Sequence, residues 1–521
     1  MNKSLKNSLL ALSCGVMASV AWLIPPMFFL IFIAFVPLIF IQDKATGKGR
    51  VFWPASLAFV TWNSLTTWWV WNSTPEGAIA MIILNSLFMT SVFCFYNRCK
   101  RLLFNNKKGF FILPMFVLAF EFLHYHWQLN WPWLTLGNVF APHHYLIQWY
   151  ELSGVAGGSL WILVVNILIY KIFSSDKKKK ATILAICVII IPMIASLIRY
   201  FSFEEKGDKV EVVVVQPNTD PYTEEFYLSD EEVMDRNIGC AEKVVTESTR
   251  FVLSPESTIQ EGIWMHKPDY SYSIGRLYEY VDKQSNVAYI IGASTASLTS
   301  DCDDFAARKH NQFCYFEHNT ALCVSRDGMQ YRHKSRLTPG VEMMPSWWIV
   351  RPLAKMAIDL GGTSGTLKKD DTIRLFDHAG LRVGTLICYE SVFGGFVRQF
   401  VRDGAEVLFV ITNDGWWGDT PGHVQHLMMS KLRAIETRRA IARSANTGIS
   451  AFINQRGDIV RQTRYDERIA LKDNVITSNS KTLYVIIGDA IYTMAVIGAA
   501  GVLIFWIRRK INLKKINKCC H

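Results

Sequence analysis

The chain has few charged side chains for its size. Of its 521 residues, 19% are Asp, Glu, Lys or Arg, against about 25% in ordinary soluble domains. Half of the residues are hydrophobic and the mean hydropathy is +0.16. Because disordered chains combine low hydrophobicity with high charge, this composition excludes disorder. The length exceeds one ordinary domain, so we expect at least one membrane part and one folded part.

Uncharged runs are long and numerous. A membrane-spanning helix needs roughly 20 apolar residues. Eight runs come close to that length: 8–24, 27–41, 51–71, 77–96, 109–123, 154–170, 181–198 and 482–507. The first two are separated by Pro25-Pro26 and fit a tight hairpin of two helices. We therefore predict an α-helical polytopic membrane domain with about eight spans.

Basic residues are missing from every second connection between these runs. No Lys or Arg occurs in 25–26, 72–76 or 127–153, whereas the other connections and both termini are rich in them. Basic residues concentrate on the cytoplasmic side of membrane proteins. The pattern predicts that both termini are cytoplasmic and that the long segment 199–481 lies outside.

The net charge of +11 is therefore explained by the basic residues that set the membrane topology, and it does not indicate a polyanionic partner. Basic residues at span ends meet anionic lipid headgroups, and we expect no nucleic-acid binding. His143 and His144 are adjacent but have no third ligand at a useful spacing, so we predict no metal site and no cofactor.

Segment 210–480 has a different pattern, in which short β-branched runs alternate with polar helical stretches. Several runs are continuously apolar, as expected for strands buried on both faces. Predicted strands are Val210–Val215, Phe251–Leu253, Ala288–Gly292, Thr320–Ser325, Val383–Ile387, Val407–Thr412 and Ile449–Asn454, and predicted helices lie near 230–247, 268–284, 392–403 and 423–443. This mixture predicts an α/β domain.

Three reactive side chains lie near the ends of predicted strands. Glu256 follows the second strand, Cys388 follows the fifth, and Lys334 lies in a basic segment between them. A thiol where a helix begins, with a cation nearby, is expected to have a lowered pKa. Each residue alone has an ordinary explanation, since a lone Cys is usually a small buried hydrophobe and a lone Glu a capping or surface group.

Together the three resemble the nitrilase, or carbon-nitrogen hydrolase, superfamily. The resemblance rests on the order Glu, Lys, Cys and on the phrases Pro255-Glu256, Lys334-x-x-Leu337, Cys388-Tyr389-Glu390, Asn413-Asp414-Gly415-Trp416-Trp417-Gly418, Arg438-Arg439-Ala440, Asn446-Thr447-Gly448-Ile449-Ser450 and Gly457. With membrane spans on both sides of this segment, the whole chain resembles the apolipoprotein N-acyltransferase family of lipoprotein maturation.

The resemblance implies an organisation for the chain. Residues 1–200 would form an N-terminal membrane domain of seven spans, and 201–480 a periplasmic catalytic domain with a nitrilase-like αββα sandwich. Residues 481–521 would form the last span and a basic cytoplasmic tail. The location would be the bacterial inner membrane, and we expect a monomer.

The resemblance also implies a chemistry. Cys388 would be the nucleophile, Glu256 the general base, and Lys334 the oxyanion cation, helped by the backbone N–H of Tyr389. The acyl donor would be a phospholipid, the intermediate a thioester, and the acceptor the N-terminal amine of a diacylated apolipoprotein. Glu342 would orient Lys334.

Further residues receive supporting or alternative roles. Tyr389 and Glu390 would shape the pocket, although Glu390 also fits a simple salt bridge at a strand end. Trp347 and Trp348 suggest a membrane-facing lid, although they could instead pack on the domain itself.

Five cysteines lie in the segment expected to be outside. An odd number leaves at least one thiol unpaired in an oxidising compartment. Cys302 and Cys314 are the most plausible disulfide pair.

Two other functions remain open at this point. A membrane-tethered amidase that hydrolyses a small amide would use the same triad with water as the acceptor. A lipid-binding protein with a degenerate nitrilase domain is disfavoured, because such a relic has no need for a base and a nucleophile together.

Overall fold

The computed structural model describes residues 3–45, 51–106, 108–225, 227–284, 286–344 and 366–519. The chain forms two compact units. The helical unit comprises Met1–Trp71, Pro75–Ser202 and Ile487–His521, and the α/β unit comprises Asn72–Thr74 and Phe203–Ile486.

The helical unit contains seven of the apolar runs predicted from the sequence and all but the first five residues of the eighth, 482–507. Its α-helices are α1 (Lys3–Leu23), α2 (Ile31–Ala34), α3 (Val36–Asp43), α4 (Phe52–Thr67), α5 (Pro75–Phe104), α6 (Ile112–His126), α7 (Tyr150–Ser174), α8 (Lys178–Ser202) and α14 (Ala490–Cys519). Among the described residues, six stretches are long and apolar enough to cross a membrane: Lys3–Leu23, Pro25–Asp43, Pro75–Phe104, Tyr150–Ser174, Lys178–Ser202 and Ala490–Leu513. The remaining two runs form the shorter helices α4 and α6, so the count of eight spans stays a prediction.

The hairpin predicted at Pro25-Pro26 is present. Helix α1 ends at Leu23 and a 3-10 turn, Pro25–Leu30, leads into α2 and α3, which pack back against α1. Two consecutive prolines remove two backbone donors, which explains why the α-helix stops here.

A buried carboxylate ties several parts of the helical unit together. Glu121 in α6 accepts hydrogen bonds from the Leu136 backbone N–H at 2.8 Å and the Ser159 hydroxyl at 3.0 Å. It accepts a third from the Tyr492 hydroxyl at 3.1 Å. Since a carboxylate in apolar surroundings needs such partners, the contacts support a structural anchoring role for Glu121.

The described part of the α/β unit contains two sheets and five α-helices. Its strands are β1 (Lys209–Gln216), β2 (Thr249–Leu253), β3 (Ile259–Trp264), β4 (Ala288–Thr299), β5 (Arg308–His310), β6 (Phe313–Ser325), β7 (Gly328–His333), β8 (Phe376–His378), β9 (Leu381–Ile387), β10 (Val407–Thr412), β11 (Ile441–Ala445), β12 (Ala451–Ile453), β13 (Ile459–Gln462) and β14 (Ile469–Ile476). Its α-helices are α9 (Asp230–Glu242), α10 (Tyr272–Lys283), α11 (Gly394–Arg402), α12 (Pro421–Thr437) and α13 (Leu483–Ile487).

The strands form a sandwich of two sheets. One sheet has the order β14-β1-β2-β4-β6-β5, with β3 beside β4 and β7 beside β6, and the other has the order β13-β12-β11-β10-β9-β8. Neighbours β1, β2 and β4 are parallel, as are β9, β10 and β11.

Successive side chains of a strand point to opposite faces of its sheet, and this explains how the sheets and helices form layers. In β1, Val212 and Val214 face the core between the sheets, together with Phe409 from β10. Val213 and Val215 point to the other face and pack with α9 and α10, as the two-residue period of a strand requires. Helices α11 and α12 pack against the second sheet, so the predicted αββα sandwich is confirmed.

One predicted helix is too long at its C-terminal end. The sequence suggested a helix to residue 443, but α12 ends at Thr437 and Arg438 adopts a left-handed φ of 49°. Residues Ile441–Ala445 instead form β11, which is completely buried between β10 and β12. Pairing on both sides outweighs the local helical pattern.

The disulfide expected between Cys302 and Cys314 is present, with Cα atoms 5.5 Å apart. Within the described part of the α/β unit, Cys240, Cys323 and Cys388 are free thiols.

Candidate active site

The three reactive residues predicted from the sequence meet at one end of the sandwich. Glu256 follows β2 and Lys334 follows β7, both in the first sheet, whereas Cys388 follows β9 in the second. Parallel strands end at the same edge of a sheet, where loops can carry functional groups. Each sheet therefore contributes part of the site.

A buried lysine joins two carboxylates. Lys334 Nζ donates hydrogen bonds to Glu256 Oε1 at 2.7 Å and to Glu342 Oε1 at 2.9 Å. The Lys334 side chain is 2% exposed. Burial alone would lower the pKa of Lys334, but the two carboxylates outweigh it and raise that pKa well above its usual value. Lys334 therefore stays a cation.

Glu342 is held in its ionised form. Burial tends to raise the pKa of Glu342, but Lys334 reverses this effect and the pKa is lowered overall. The Thr338 backbone N–H donates to Glu342 Oε2 at 2.8 Å. Glu342 thus contacts both Lys334 and the loop that follows it.

Two asparagines that the sequence analysis missed complete the surroundings of Glu256. Asn319 Nδ2 donates to Glu256 Oε1 at 2.8 Å and to Glu342 Oε1 at 2.9 Å. The backbone N–H of Asn413 donates to Glu256 Oε2 at 3.2 Å. Asn413 belongs to the Asn-Asp-Gly-Trp-Trp-Gly motif noted in the sequence. Its contact with Glu256 was not predictable, because it depends on how the two sheets pack on each other.

Cys388 lies at a strained turn. It directly follows β9, has a left-handed φ of 49°, and begins a 3-10 helix, Cys388–Val392. The Ser391 hydroxyl donates to the Cys388 carbonyl at 2.8 Å. A left-handed non-glycine residue costs roughly 1–2 kcal/mol, and such strain is found where a side chain must be presented in a fixed direction.

The expectation of a lowered thiol pKa is wrong for the site as it stands. Burial, reinforced by the Glu256 carboxylate, raises the pKa of Cys388 well above its usual value, and Lys334 only partly offsets this. The nearest α-helix, α11, begins at Gly394 rather than at the thiol. Cys388 is therefore protonated at rest and needs a base before it can attack a carbonyl carbon.

Glu390 lies in a saturated ion pair rather than in the lysine cluster. Arg332 donates to both of its carboxylate oxygens, at 2.7 and 2.8 Å. The backbone N–H groups of Ser335 and Ile387 also donate to it, at 2.6 and 2.8 Å. All four residues are buried. Glu390 thus joins the segment that carries Lys334 to the end of the strand that carries Cys388.

Tyr389 is buried, and its ring meets Phe393 edge-on with centroids 5.0 Å apart. Trp347 and Trp348, the predicted lid residues, lie outside the described residues.

A second charged network lies behind the nucleophile and was also missed. His426 Nδ1 is 2.9 Å from Asp414 Oδ1, and Arg443 donates to Asp414 Oδ2 at 2.5 Å. His426 Nε2 is 3.0 Å from the Ser391 hydroxyl, which bonds the Cys388 carbonyl. Burial opposes ionisation of Asp414, but Arg443 and His426 prevail and hold its pKa far below the usual range.

Ligand atoms of Cys388, Asp414 and His426 lie within 4.8 Å of one another. Both His426 nitrogens and both Asp414 oxygens already bond protein groups, and the guanidinium of Arg443 would repel a cation. Asp414 and His426 are therefore better suited to support the Cys388 nucleophile than to bind a metal ion with it.

Another buried carboxyl lies beside Glu256. Glu225 is 7% exposed and accepts a hydrogen bond from Asn413 Nδ2 at 2.8 Å. Burial raises the pKa of Glu225 to about 8, with a further contribution from Glu256. No local motif marks this glutamate, which lies next to the half-buried Glu224 in the sequence.

Comparison with known proteins covers both units. The profile of the apolipoprotein N-acyltransferase N-terminal domain matches residues 14–168, and the carbon-nitrogen hydrolase profile matches residues 276–473. The second match includes Lys334 and Cys388 but begins after Glu256.

Curated relatives extend over nearly the whole chain. An apolipoprotein N-acyltransferase from Chlorobaculum tepidum is 28% identical over 500 residues, covering 91% of each chain. One from Geobacter metallireducens is 24% identical over 535 residues, covering 97% of this chain and 96% of its own.

Solved structures are similar to about half of the chain. A nitrilase-superfamily protein from Saccharomyces cerevisiae covers 52% of this chain and 91% of its own, with 13% identity and a TM-score of 0.37. An amidase from Nesterenkonia covers 53% and 93%, with 13% identity and a TM-score of 0.35. The two sequence profiles and the curated relatives agree, and the chain belongs to the apolipoprotein N-acyltransferase family, within the nitrilase superfamily.

Proposed function

We propose that the chain N-acylates lipoproteins by moving a fatty acyl group from a membrane phospholipid, through a thioester on Cys388, to the α-amine of a diacylglyceryl-cysteine. The observation that carries the proposal is the buried Glu256–Lys334–Glu342 cluster beside a strained Cys388. It occurs in a chain whose other unit consists of apolar helices.

The first half-reaction acylates the enzyme. Glu256 takes the proton from the Cys388 thiol, and the sulfur attacks the ester carbonyl of the phospholipid. Lys334 and the backbone N–H of Tyr389 stabilise the negative charge on the carbonyl oxygen. As the C–O bond breaks, Glu256 returns the proton to the leaving alkoxide, so a lysophospholipid departs and the acyl group stays on Cys388.

The second half-reaction forms the amide. The amine attacks the thioester carbonyl, Glu256 removes a proton from the nitrogen, and the C–S bond breaks. The same proton then converts the leaving Cys388 thiolate to a thiol. Glu342 and Asn319 keep Lys334 and Glu256 aligned through both steps, because their hydrogen bonds fix the lysine between two carboxylates.

The substrates account for the membrane unit. The chain is a bacterial membrane protein, and both proposed substrates are lipids whose reactive groups lie at a membrane surface. Lateral diffusion brings them to a site at that surface. The acyl group leaves and arrives as a covalent ester, thioester or amide, so no cofactor is required.

The orientation of the chain is part of the proposal. The disulfide between Cys302 and Cys314 and the lack of basic residues in alternate connections support an α/β unit in the oxidising periplasm, with both termini cytoplasmic. A green fluorescent protein fused after His521 should fluoresce. The same reporter fused in place of residues 481–521 should be exported and should not fluoresce. The opposite pattern would reverse the topology.

A product assay tests the function. The purified chain in vesicles of phosphatidylethanolamine should add one acyl group to a diacylglyceryl-cysteine peptide, detected by its mass, and release lysophospholipid in equal amount. The competing amidase would instead release ammonia from small amides and leave the peptide unchanged. A peptide with a blocked α-amine is the matched control and should stay unmodified.

A further inference from the structure

Glu225 is a buried carboxyl for which the mechanism above has no use. It lies in the segment between β1 and α9, with 7% of its surface exposed. Asn413 Nδ2 donates to its Oε2 at 2.8 Å, and Gln260 Nε2 donates to its Oε1 at 3.3 Å. Burying an ionisable side chain costs stability, and such groups concentrate at functional sites.

One residue connects Glu225 to the reactive cluster. The side chain of Asn413 bonds Glu225, while its backbone N–H donates to Glu256 Oε2 at 3.2 Å. The other oxygen of Glu256 bonds Lys334. Glu256 therefore has the lysine at one oxygen and, through Asn413, the Glu225 carboxyl near the other.

A count of protons shows why one base is insufficient for an amine acceptor. An α-amine enters near neutral pH largely as an ammonium with three N–H protons, and the amide product keeps one. Glu256 passes a second to the Cys388 sulfur as the C–S bond breaks. The third proton must leave before the nitrogen can attack. The ester donor, whose reacting carbonyl has no such proton, imposes no similar demand.

We propose that Glu225 is the ammonium-recognition residue and second base of the acceptor half-reaction, an inference that rests on the proposed function. The incoming ammonium displaces the Glu225 proton to solvent and pairs with the carboxylate. The carboxylate then takes one proton from the nitrogen, which frees its lone pair for attack on the thioester. Glu225 ends protonated as it began, and one proton has reached the solvent for each amide formed.

The charges around Glu225 suit this cycle. Burial raises the pKa of Glu225 to about 8; the Asn413 hydrogen bond lowers it, and the Glu256 and Asp220 carboxylates raise it. A free α-amine has a pKa of about 7.7–8.0. Because the donor and acceptor of the proton are nearly matched, transfer between them costs little free energy. A cation beside the carboxyl favours its ionised form.

A purely structural role predicts something different. If Glu225 only anchored its segment to Asn413, a glutamine would accept the same hydrogen bond from Asn413 Nδ2. Both half-reactions would then keep their rates.

The experiment separates the two half-reactions of the full-length enzyme. Wild type and Glu225→Gln are first acylated on Cys388 with phospholipid, and the thioester is followed by intact-protein mass spectrometry. Loss of the thioester is then timed with a diacylglyceryl-cysteine peptide or with hydroxylamine, which is a neutral nucleophile at pH 7.5. Glu224→Gln is the matched control, since Glu224 is the neighbouring carboxylate and pairs with Arg236 at 2.8 Å outside the cluster.

We expect Glu225→Gln to be acylated at the wild-type rate and to react normally with hydroxylamine, but to transfer to the peptide amine about 10²-fold more slowly, the size of a lost general base. Glu225→Asp should recover part of that loss, and Glu224→Gln should behave as wild type. Unchanged transfer to the peptide overturns the proposal, and so does an equal loss with both nucleophiles or a loss of acylation. Absence of a Cys388 thioester in wild type would instead reject the proposed function.

Discussion

Two buried ionic clusters of the α/β unit are built from similar residues but differ in their charge balance and in the hydrogen bonds of their carboxylates. In the pair of Arg332 and Glu390, one cation faces one carboxylate, and that carboxylate accepts four hydrogen bonds from the guanidinium and two backbone N–H groups. In the reactive cluster, one cation, Lys334, is shared by Glu256 and Glu342 beside a protonated thiol.

The difference separates a structural role from a chemical one. A saturated, charge-balanced pair has no free capacity for a substrate and fixes the backbone around it. A cluster with more carboxylates than cations has a base that can gain a proton from Cys388 while the lysine remains charged. Substitutions should therefore affect turnover in the reactive cluster and folding in the saturated pair.

The largest effect is expected for Glu256→Gln. The amide oxygen can still accept hydrogen bonds from Lys334 and Asn319 in place of Oε1. The amide NH2 cannot accept the hydrogen bond of the Asn413 N–H, and the amide cannot take the thiol proton. The rate of thioester formation should fall about 10²–10⁴-fold, as for a lost general base, with little change in melting temperature. The rate is read from the acyl adduct mass over time. A rate near that of wild type would remove Glu256 from the chemistry.

The next effect is on stability. Arg332→Met leaves the Glu390 carboxylate buried without its cation, which typically costs about 3–5 kcal/mol. We expect a large fall in the melting temperature of the α/β unit in the full-length chain, measured by circular dichroism. The double variant Arg332→Met/Glu390→Leu should recover part of the loss, because it removes the unpaired buried charge. It also leaves the backbone N–H groups of Ser335 and Ile387 without their acceptor, so the recovery should be incomplete. If the double variant were no more stable than the single one, the unpaired charge of Glu390 would not be the cause of the loss.

A smaller effect concerns two stacked histidines at the edge of the reactive cluster. His333, directly before Lys334, stacks on His318 with ring centroids 3.8 Å apart. Burial lowers the pKa of His333 from 6.5 to about 3; His318, Arg374 and Arg332 lower it too, and Asp370 raises it. Between these values the unfolded chain binds a proton that the folded chain does not, so stability falls as the pH drops below about 6.5.

His333→Gln should flatten this dependence. We expect wild type to lose about 1–2 kcal/mol from this residue between pH 7 and pH 5, seen as a fall in melting temperature. The variant should lose correspondingly less over the same range. If the melting temperatures of the two proteins fell in parallel as the pH dropped, a group other than His333 would control the loss of stability in acid.

The sequence was sufficient to predict the fold class and the three reactive residues that directly follow strands or lie close after them. Continuously apolar runs such as Val407–Thr412 identify buried strands, and the quoted phrases identify Glu256, Lys334 and Cys388. Short or polar strands, including β5, β8 and β13, have no comparable pattern, because their burial depends on neighbours elsewhere in the chain.

The same reason explains which site residues were missed. Asn319 and Glu225 gain their roles from contacts with residues 63 and 188 positions away in the sequence. His426 contacts residues 12 and 35 positions away, and the burial of all three side chains is produced only by folding. The thiol pKa was mispredicted because the nearby lysine was considered without the burial of Cys388, which raises the pKa most, and without the Glu256 carboxylate, which raises it further. Spacing identifies reactive residues but does not reveal the charge balance around them.

The central claim is that the fatty acyl group passes through Cys388. The direct measurement is tandem mass spectrometry of the protein after incubation with a diacyl phospholipid and no amine. The account predicts one fatty acyl group on the peptide that contains Cys388, removed by hydroxylamine and absent from Cys388→Ala. A folded wild-type protein that forms amide product without any acyl group on Cys388 would contradict the account.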